Sequence, residues 1–380
     1  MLKPYLLFLL FGFLILSVHY RGCLGRREDD DDDDDNHDDR DNDGGDDDDT
    51  EPPPREALSR ANSDKVKLYV GPDEEYKTIT EAINAVPLQN KQRYIINVAA
   101  GVYREKIIIP ATKDFITLVG NPDAKFSTVI VFNGNTNNSV KTFNTSTFAV
   151  EANFFVAQYI TFKNDAPFAY SGAVGGQAVA LRVSGEYAAF YDCFITSSQD
   201  TLYDQKGRHY YKRSYIQGNV DFIFGQGRAL FEVNLQESFT FSSYLVFIVP
   251  TGCLIISNAR SKSGSITAQS KFNATLDSGY SIYNSYIGGT GLVHLGRPWK
   301  EYASVVFVNN YLDEVVNPTG WDQWAYNPAA GTAFFAEHGN FGPGADSTRR
   351  VNWIKQLTSD QAYEYSDIKF IDGQDWLYLE

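Results

Sequence analysis

Asp200 and Asp221 lie 21 residues apart, each in a short run rich in apolar and aromatic residues: Gln199-Asp200-Thr201-Leu202-Tyr203 and Asp221-Phe222-Ile223-Phe224-Gly225. Gln177 lies 22 residues before Gln199. Such intervals match one coil of a parallel β-helix, in which positions one coil apart stack on neighbouring strands about 4.8 Å away. The spacing therefore predicts two acids and two amides in one patch. Stacked carboxylates can divide the work of acid and nucleophile only if their surroundings push their pKa values apart. Leu202, Phe222, Ile223 and Phe224 supply apolar cover that would keep one of them protonated. Arg297, within Leu295-Gly296-Arg297-Pro298-Trp299, can hold the other ionised through a charge-assisted hydrogen bond. Gln177 and Gln199 are neutral donors suited to a developing oxyanion. This is equipment for acyl transfer. No Gly-x-Ser-x-Gly elbow occurs, and no histidine falls within these runs, so a serine triad is less coherent. Taken singly, each residue also fits a structural role: an aspartate satisfying backbone amides in a solenoid, a tryptophan packing in the core. The joint spacing is what favours chemistry.

The elements that must position these residues are short and β-rich. From about Tyr94 to Leu312 the chain reads as brief runs (Tyr94–Val98, Lys106–Ile109, Phe115–Val119, Thr128–Val131) separated by Asn, Gly and Asp, with no room for crossover helices. A polar-or-small, aromatic-or-Leu, Ile-or-Leu triplet recurs at Gln158-Tyr159-Ile160, Cys193-Phe194-Ile195, Ser214-Tyr215-Ile216, Cys253-Leu254-Ile255, Ser285-Tyr286-Ile287 and Asn310-Tyr311-Leu312. Its intervals of 35, 21, 39, 32 and 25 residues are never shorter than one coil, as expected of stacked coils with loops of varying length. Few two-residue hairpin signals join the runs, which disfavours a sandwich. Before the coils, Thr78-Ile79-Thr80-Glu81 has capping-box spacing, and Ile79, Ala82, Ile83 and Val86 form a helical stripe ended by Pro87. A second capping box, Thr358-Ser359-Asp360-Gln361, predicts a last helix that packs back on the coils through Phe370, Ile371 and Trp376. The 39-residue interval contains an apolar excess at 233–252, with no charge after Glu237, that reads as an insertion. Its composition suits a retained intron, because valine codons begin GT and Phe, Ser, Tyr and Leu fit a pyrimidine-rich tract.

Composition bounds the remaining classes. The chain has 380 residues, is 43% apolar and carries a net charge of −15. Residues 28–49 hold 16 acids against Arg40, while Lys3, Arg21, Arg26 and Arg27 precede them, so residues 50–380 carry only −4. No basic stripe points to nucleic acid. The acidic stretch is expected to be a disordered spacer, and Pro52-Pro53-Pro54 to mark an extended linker into a folded region from residue 64. Fourteen apolar residues at 5–18, behind Lys3, suit the core of a signal peptide over 1–22 better than a spanning helix of about 20 residues. Secretion follows, with no stable membrane span after processing. The sequons at Asn137, Asn144 and Asn273 fit an exported glycoprotein. The three cysteines and five histidines show no metal spacing, so no cofactor or metal is expected, and one Cys193–Cys253 bridge is left open.

The blocks Gly101-Val102-Tyr103-Arg104-Glu105, Gln177-Ala178-Val179-Ala180-Leu181, Gln199–Tyr203, Asp221–Gly225 and Leu295–Trp299 together resemble, in the same order, those of the plant pectin methylesterases. The resemblance covers about residues 64–380. It implies an all-β, right-handed parallel β-helix that removes methyl esters from homogalacturonan in the cell wall. By matching position, Asp221 resembles the nucleophile, Asp200 the proton donor and base, and Gln199 the transition-state stabiliser aided by Gln177. Thr147, Arg297, Trp299, Tyr203 and Phe224 resemble substrate contacts. The family also implies a proteinaceous pectinesterase inhibitor as a partner. Two departures stand out: Ser214 replaces a cysteine often found on that coil, and the excess at 233–252 interrupts a coil just after the Asp221 run. Rival expectations are a pectate lyase or polygalacturonase, and a pectin-binding wall protein inactivated by the insertion.

Overall fold

The computed structural model describes residues 53–137, 139–168, 175–232, 253–260, 264–324 and 331–377. Among these, three sheets of 11, 8 and 7 strands stack along one axis, and the chain visits them in rotation. One coil runs Ala188–Tyr191, Phe194–Thr196, Leu202–Asp204, and the next Arg208–Lys212, Tyr215–Gly218, Ile223–Gly225. Each strand pairs in parallel with its equivalent a coil away: Ala188 with His209, Phe194 with Tyr215, Leu202 with Ile223. The result is a right-handed parallel β-helix.

Identical inward positions on successive coils stack like with like. Phe190, Tyr211 and Phe231 form a fully buried ladder with centroids 5.0 and 4.6 Å apart and rings within 8° of parallel. That distance is the coil rise, so ring stacking and strand pairing reinforce one another. The bends between first and second sheets fall on Tyr159, Asp192, Arg213, Asn284 and Asn309, each two residues before its strand and each left-handed (φ 49 to 59°). Such backbone costs a non-glycine residue about 1–2 kcal/mol, and the paired strands on both sides impose it.

The helix Ile79–Ala85 closes one end. Its capping box forms as expected, and Ile79, Ala82, Ile83 and Val86 are buried in the main core. Glu105 accepts hydrogen bonds from the amides of Ile79 and Thr80 at 3.0 Å, placing a carboxylate at the helix's positive end. The buried ammonium of Lys113 donates to the carbonyls of Ile83 and Asn84 at its other end. The Thr358–Gln361 capping box also forms, on a short helix Ser359–Tyr363, and Ile371 and Trp376 are buried against the coils.

Three expectations need correction. The proline-rich approach is not extended through residue 63: Pro54–Ser63 is an α-helix, with proline where a missing N–H costs nothing, and Leu58 and Ala61 bury against Ile371 and Trp376. The triplet Gln158-Tyr159-Ile160 is two positions out of step with the other five, since Phe194 pairs with Thr161 and Ile195 with Phe162. A Cys193–Cys253 bridge is excluded by register: Phe194 pairs with Tyr215 and Tyr215 with Leu254, so Ser214 sits between the two cysteines and they lie two coils apart. Two rungs of about 4.8 Å exceed the Cα separation a disulfide spans. Both thiols are free and buried, and burial pushes each up to about 12.

The expected signal peptide, the acidic spacer up to residue 52 and the 233–252 insertion lie outside the described residues. The register around the last is nonetheless informative. Glu232 pairs with Lys212 and Leu254 with Tyr215. Arg213 alone separates Lys212 from Ser214, whereas residues 233–252 separate their partners Glu232 and Cys253.

Candidate active site

The crossings from second to third sheet are short on two neighbouring coils, Thr196 to Leu202 and Gly218 to Ile223. Short crossings leave little backbone freedom, and each places an aspartate two residues before its strand. Asp200 (φ 58°) and Asp221 (φ 48°) both adopt the left-handed conformation. Because Leu202 pairs with Ile223, the two aspartates stand level on adjacent rungs. Their amides are tied to the next rung, Asp200 N to Val220 O at 3.1 Å and Asp221 N to Ser265 O at 2.8 Å. Non-glycine residues held in this strained region mark places where surrounding structure over-determines the backbone.

Their environments differ. Asp200 is 9% exposed, and its carboxyl is held well above the usual carboxylate range, first by burial and then by the neighbouring Asp221 charge. Arg297 and a hydrogen bond with the Gln199 side chain oppose that rise without cancelling it. Asp221 is clamped by Arg297 through two parallel hydrogen bonds, Nε to Oδ1 at 2.9 Å and Nη2 to Oδ2. The guanidinium is itself stacked 3.9 Å from the centre of the Trp324 ring. Arg297 arrives there because it pairs with Ala268, three rungs beyond Tyr203 and two beyond Phe224.

Beside the acids lies an apolar floor of Val179, Phe224 and Ala268 with Tyr203 and Trp299 packed against it. Tyr203 and Phe224 stack at 4.4 Å, and Phe224 meets Trp299 at 6.0 Å. Tyr203 and Trp299 remain partly accessible. Gln199 is half-buried beside Asp200, and its carbonyl accepts from Ala178 N at 3.1 Å, joining it to the coil that carries Gln177. Gln177 is half-buried on that coil, tied to Thr136. Thr147 is set apart: it is fully buried in the wall, level with Ala180, and its hydroxyl donates to the carbonyl of Lys163 at 3.0 Å.

Sequence reasoning missed three supports. Trp324 lies in a loop-rich segment where tryptophans read only as packing. Asn164, buried, donates to the carbonyls of Gly134, Thr145 and Val179 and so holds the site's walls together. Thr136 stands in a polar loop with no motif to flag it. Among the described residues no cluster of three or more His, Cys, Asp or Glu is placed to hold a metal ion.

A parallel β-helix that stacks a protonation-prone carboxyl on an arginine-clamped carboxylate, beside a partly accessible aromatic strip, has the parts of a solenoid hydrolase. A family model described as Pectinesterase matches residues 68–374. Pectinesterase QRT1 of Arabidopsis thaliana is 36% identical over 308 residues, covering 80% of this chain and 76% of its own. The pectin methylesterase from carrot shares 34% identity with a TM-score of 0.71, covering 82% of this chain and 94% of its own. A pectin methylesterase solved in complex with a hexasaccharide shares 28%, with a TM-score of 0.66 over 82% of this chain and 97% of its own. The chain belongs to the pectinesterase family of carboxylic ester hydrolases.

Proposed function

We propose that the protein hydrolyses the C6 methyl esters of homogalacturonan, turning pectin and water into pectate and methanol, with Asp221 as nucleophile. The observation that carries this reading is the asymmetry of the stacked pair: Asp200 biased toward the acid, Asp221 paired with Arg297. An Asp221 carboxylate oxygen attacks the ester carbonyl, and the carbonyl oxygen becomes an oxyanion facing the amides of Gln199 and Gln177. As the intermediate collapses, the C–O bond to methoxide breaks and Asp200 supplies the proton, giving methanol and a galacturonyl–Asp221 anhydride. Asp200, now a carboxylate, takes a proton from water. The resulting hydroxide attacks the anhydride, releasing galacturonic acid, which gives its proton to solvent as galacturonate, and leaving the Asp221 carboxylate with Asp200 protonated.

Arg297 holds the Asp221 carboxylate through two hydrogen bonds and aims it. Tyr203 and Trp299, backed by the buried Phe224, offer flat apolar faces to the sugar rings. The proposed setting is the plant cell wall, reached by secretion, which the apolar run at 5–18 and the sequons support. A proteinaceous pectinesterase inhibitor as partner rests on the family alone. The test is product analysis on methyl-esterified homogalacturonan: methanol release without shortening of the polymer is expected. Chain shortening, or unsaturated ends, without methanol would point instead to glycoside hydrolysis or β-elimination and overturn the proposal.

A further inference from the structure

Thr136 makes four hydrogen bonds to the Gly176–Gln177 segment. Its amide donates to the carbonyl of Gln177 at 2.9 Å. Its hydroxyl oxygen accepts from the amides of Gly176 at 2.7 Å and Gln177 at 3.0 Å. The same hydroxyl contacts the Gln177 side-chain oxygen Oε1. The close approach requires a residue without a side chain nearby: a Cβ on Gly175, at φ 83°, would lie 2.8 Å from the Thr136 carbonyl oxygen.

A threonine hydroxyl has two acceptor sites and one proton. The two backbone amides occupy both acceptor sites, so the hydroxyl can only donate to whatever else it touches. The Gln177 amide must therefore turn its oxygen toward Thr136 and its NH2 group away. A flipped amide would press N–H against an oxygen with no lone pair left. We infer that Thr136 is a positioning residue that fixes the polarity of the Gln177 amide, so that Gln177 presents a hydrogen-bond donor to the reacting ester oxygen. This rests on the proposed reading of Gln177 as an oxyanion donor. It also explains how a glutamine, whose two ends are nearly the same shape, offers one of them reliably.

The test is a cycle of Thr136→Val, Gln177→Ala and the double variant, with kcat and KM from methanol release and Tm alongside. In Thr136→Val, kcat falls about tenfold, roughly the worth of one hydrogen bond, with KM little changed. Thr136→Ser, which keeps the hydroxyl, restores kcat. In the Gln177→Ala background the valine substitution costs nothing further. An additive loss in the double variant, or a loss that serine does not rescue, overturns the inference and leaves Thr136 a structural residue. A wild-type kcat in Gln177→Ala instead removes the reading of Gln177 on which the inference rests. Should Thr136→Val fail to fold, Gln177→Glu reads the same claim. Its carboxylate still accepts from Thr136 but has no N–H to give, so kcat falls as far as in Gln177→Ala. Wild-type kcat in that variant contradicts the assigned polarity.

Discussion

Asp200 does two things that pull against each other. Burial and the Asp221 charge hold its carboxyl well above the usual carboxylate range. In the proposed reaction, that keeps a proton available to a leaving methoxide at pH values where an exposed aspartate has lost it. The same shift costs stability. An acid whose pKa rises on folding contributes fully only below its unfolded pKa, about 3.9, and that contribution is lost as pH rises through the folded value. Asp200→Asn keeps the site neutral at every pH. It is predicted to melt at a higher temperature than wild type near neutral pH, with the gap closing in acid, while activity falls about 10²- to 10⁴-fold. Melts across pH check this; a gap that does not change with pH, or a less stable variant at neutral pH, contradicts it. Activity itself is expected to fall on the alkaline side as Asp200 ionises. For the opposite member of the pair, Arg297→Lys replaces a planar two-point clamp by a single point charge and is not a conservative change.

At the scale of the elements, the crossings that carry the acids depend on close approaches that only small residues allow. A Cβ on Gly218 would lie 2.2 Å from the Phe222 Cβ and 2.5 Å from the Thr201 hydroxyl, so both crossings would shift. Gly218→Ala is predicted to cost about 1–3 kcal/mol, read as a Tm lower by several degrees, and to lower kcat by misplacing Asp221. An unchanged melt and turnover would count against this account of the crossing. Much at this scale was legible in the sequence. Both capping boxes, the strand Tyr94–Val98 and the 21-residue alignment of Asp200 with Asp221 follow from local patterns and a fixed coil length. What was not legible was set by partners distant in sequence. The prolines before residue 55 look like a linker until Ile371 and Trp376 supply a surface for Leu58 and Ala61. The Gln158-Tyr159-Ile160 match slipped because a polar-aromatic-aliphatic triplet fits two positions on one strand edge. Thr136 and Asn164 act through backbone groups of segments 15 to 41 residues away, and no residue pattern encodes that.

For the molecule as a whole, each coil contacts its neighbours through the same three ladders, so an interruption is tolerated where flanking strands keep register. Glu232 and Leu254 do so on either side of residues 233–252. Replacing 233–252 with one residue, the length that Arg213 occupies on the preceding coil, is predicted to leave fold and methanol release intact. Loss of folding in that variant, by circular dichroism and melting, would show the segment to be part of the solenoid. Deeper in the core, His209 and Asp204 form a fully buried pair at 2.9 Å, with Tyr211 donating to the same carboxylate oxygen at 2.7 Å. Burial alone would lower the imidazole's pKa, but the Asp204 charge and hydrogen bond outweigh it and hold the pKa above its ordinary value. The stability it adds is present below the unfolded histidine pKa, about 6.5, and is lost as pH rises through the folded value.

Methanol release by purified Asp221→Ala, set beside wild type on the same methyl-esterified polymer, tests the shared groove most directly. The stacked-carboxylate account predicts a loss of about 10³-fold or more, with polymer binding and the melting transition retained. Turnover at the wild-type rate in that variant would contradict it.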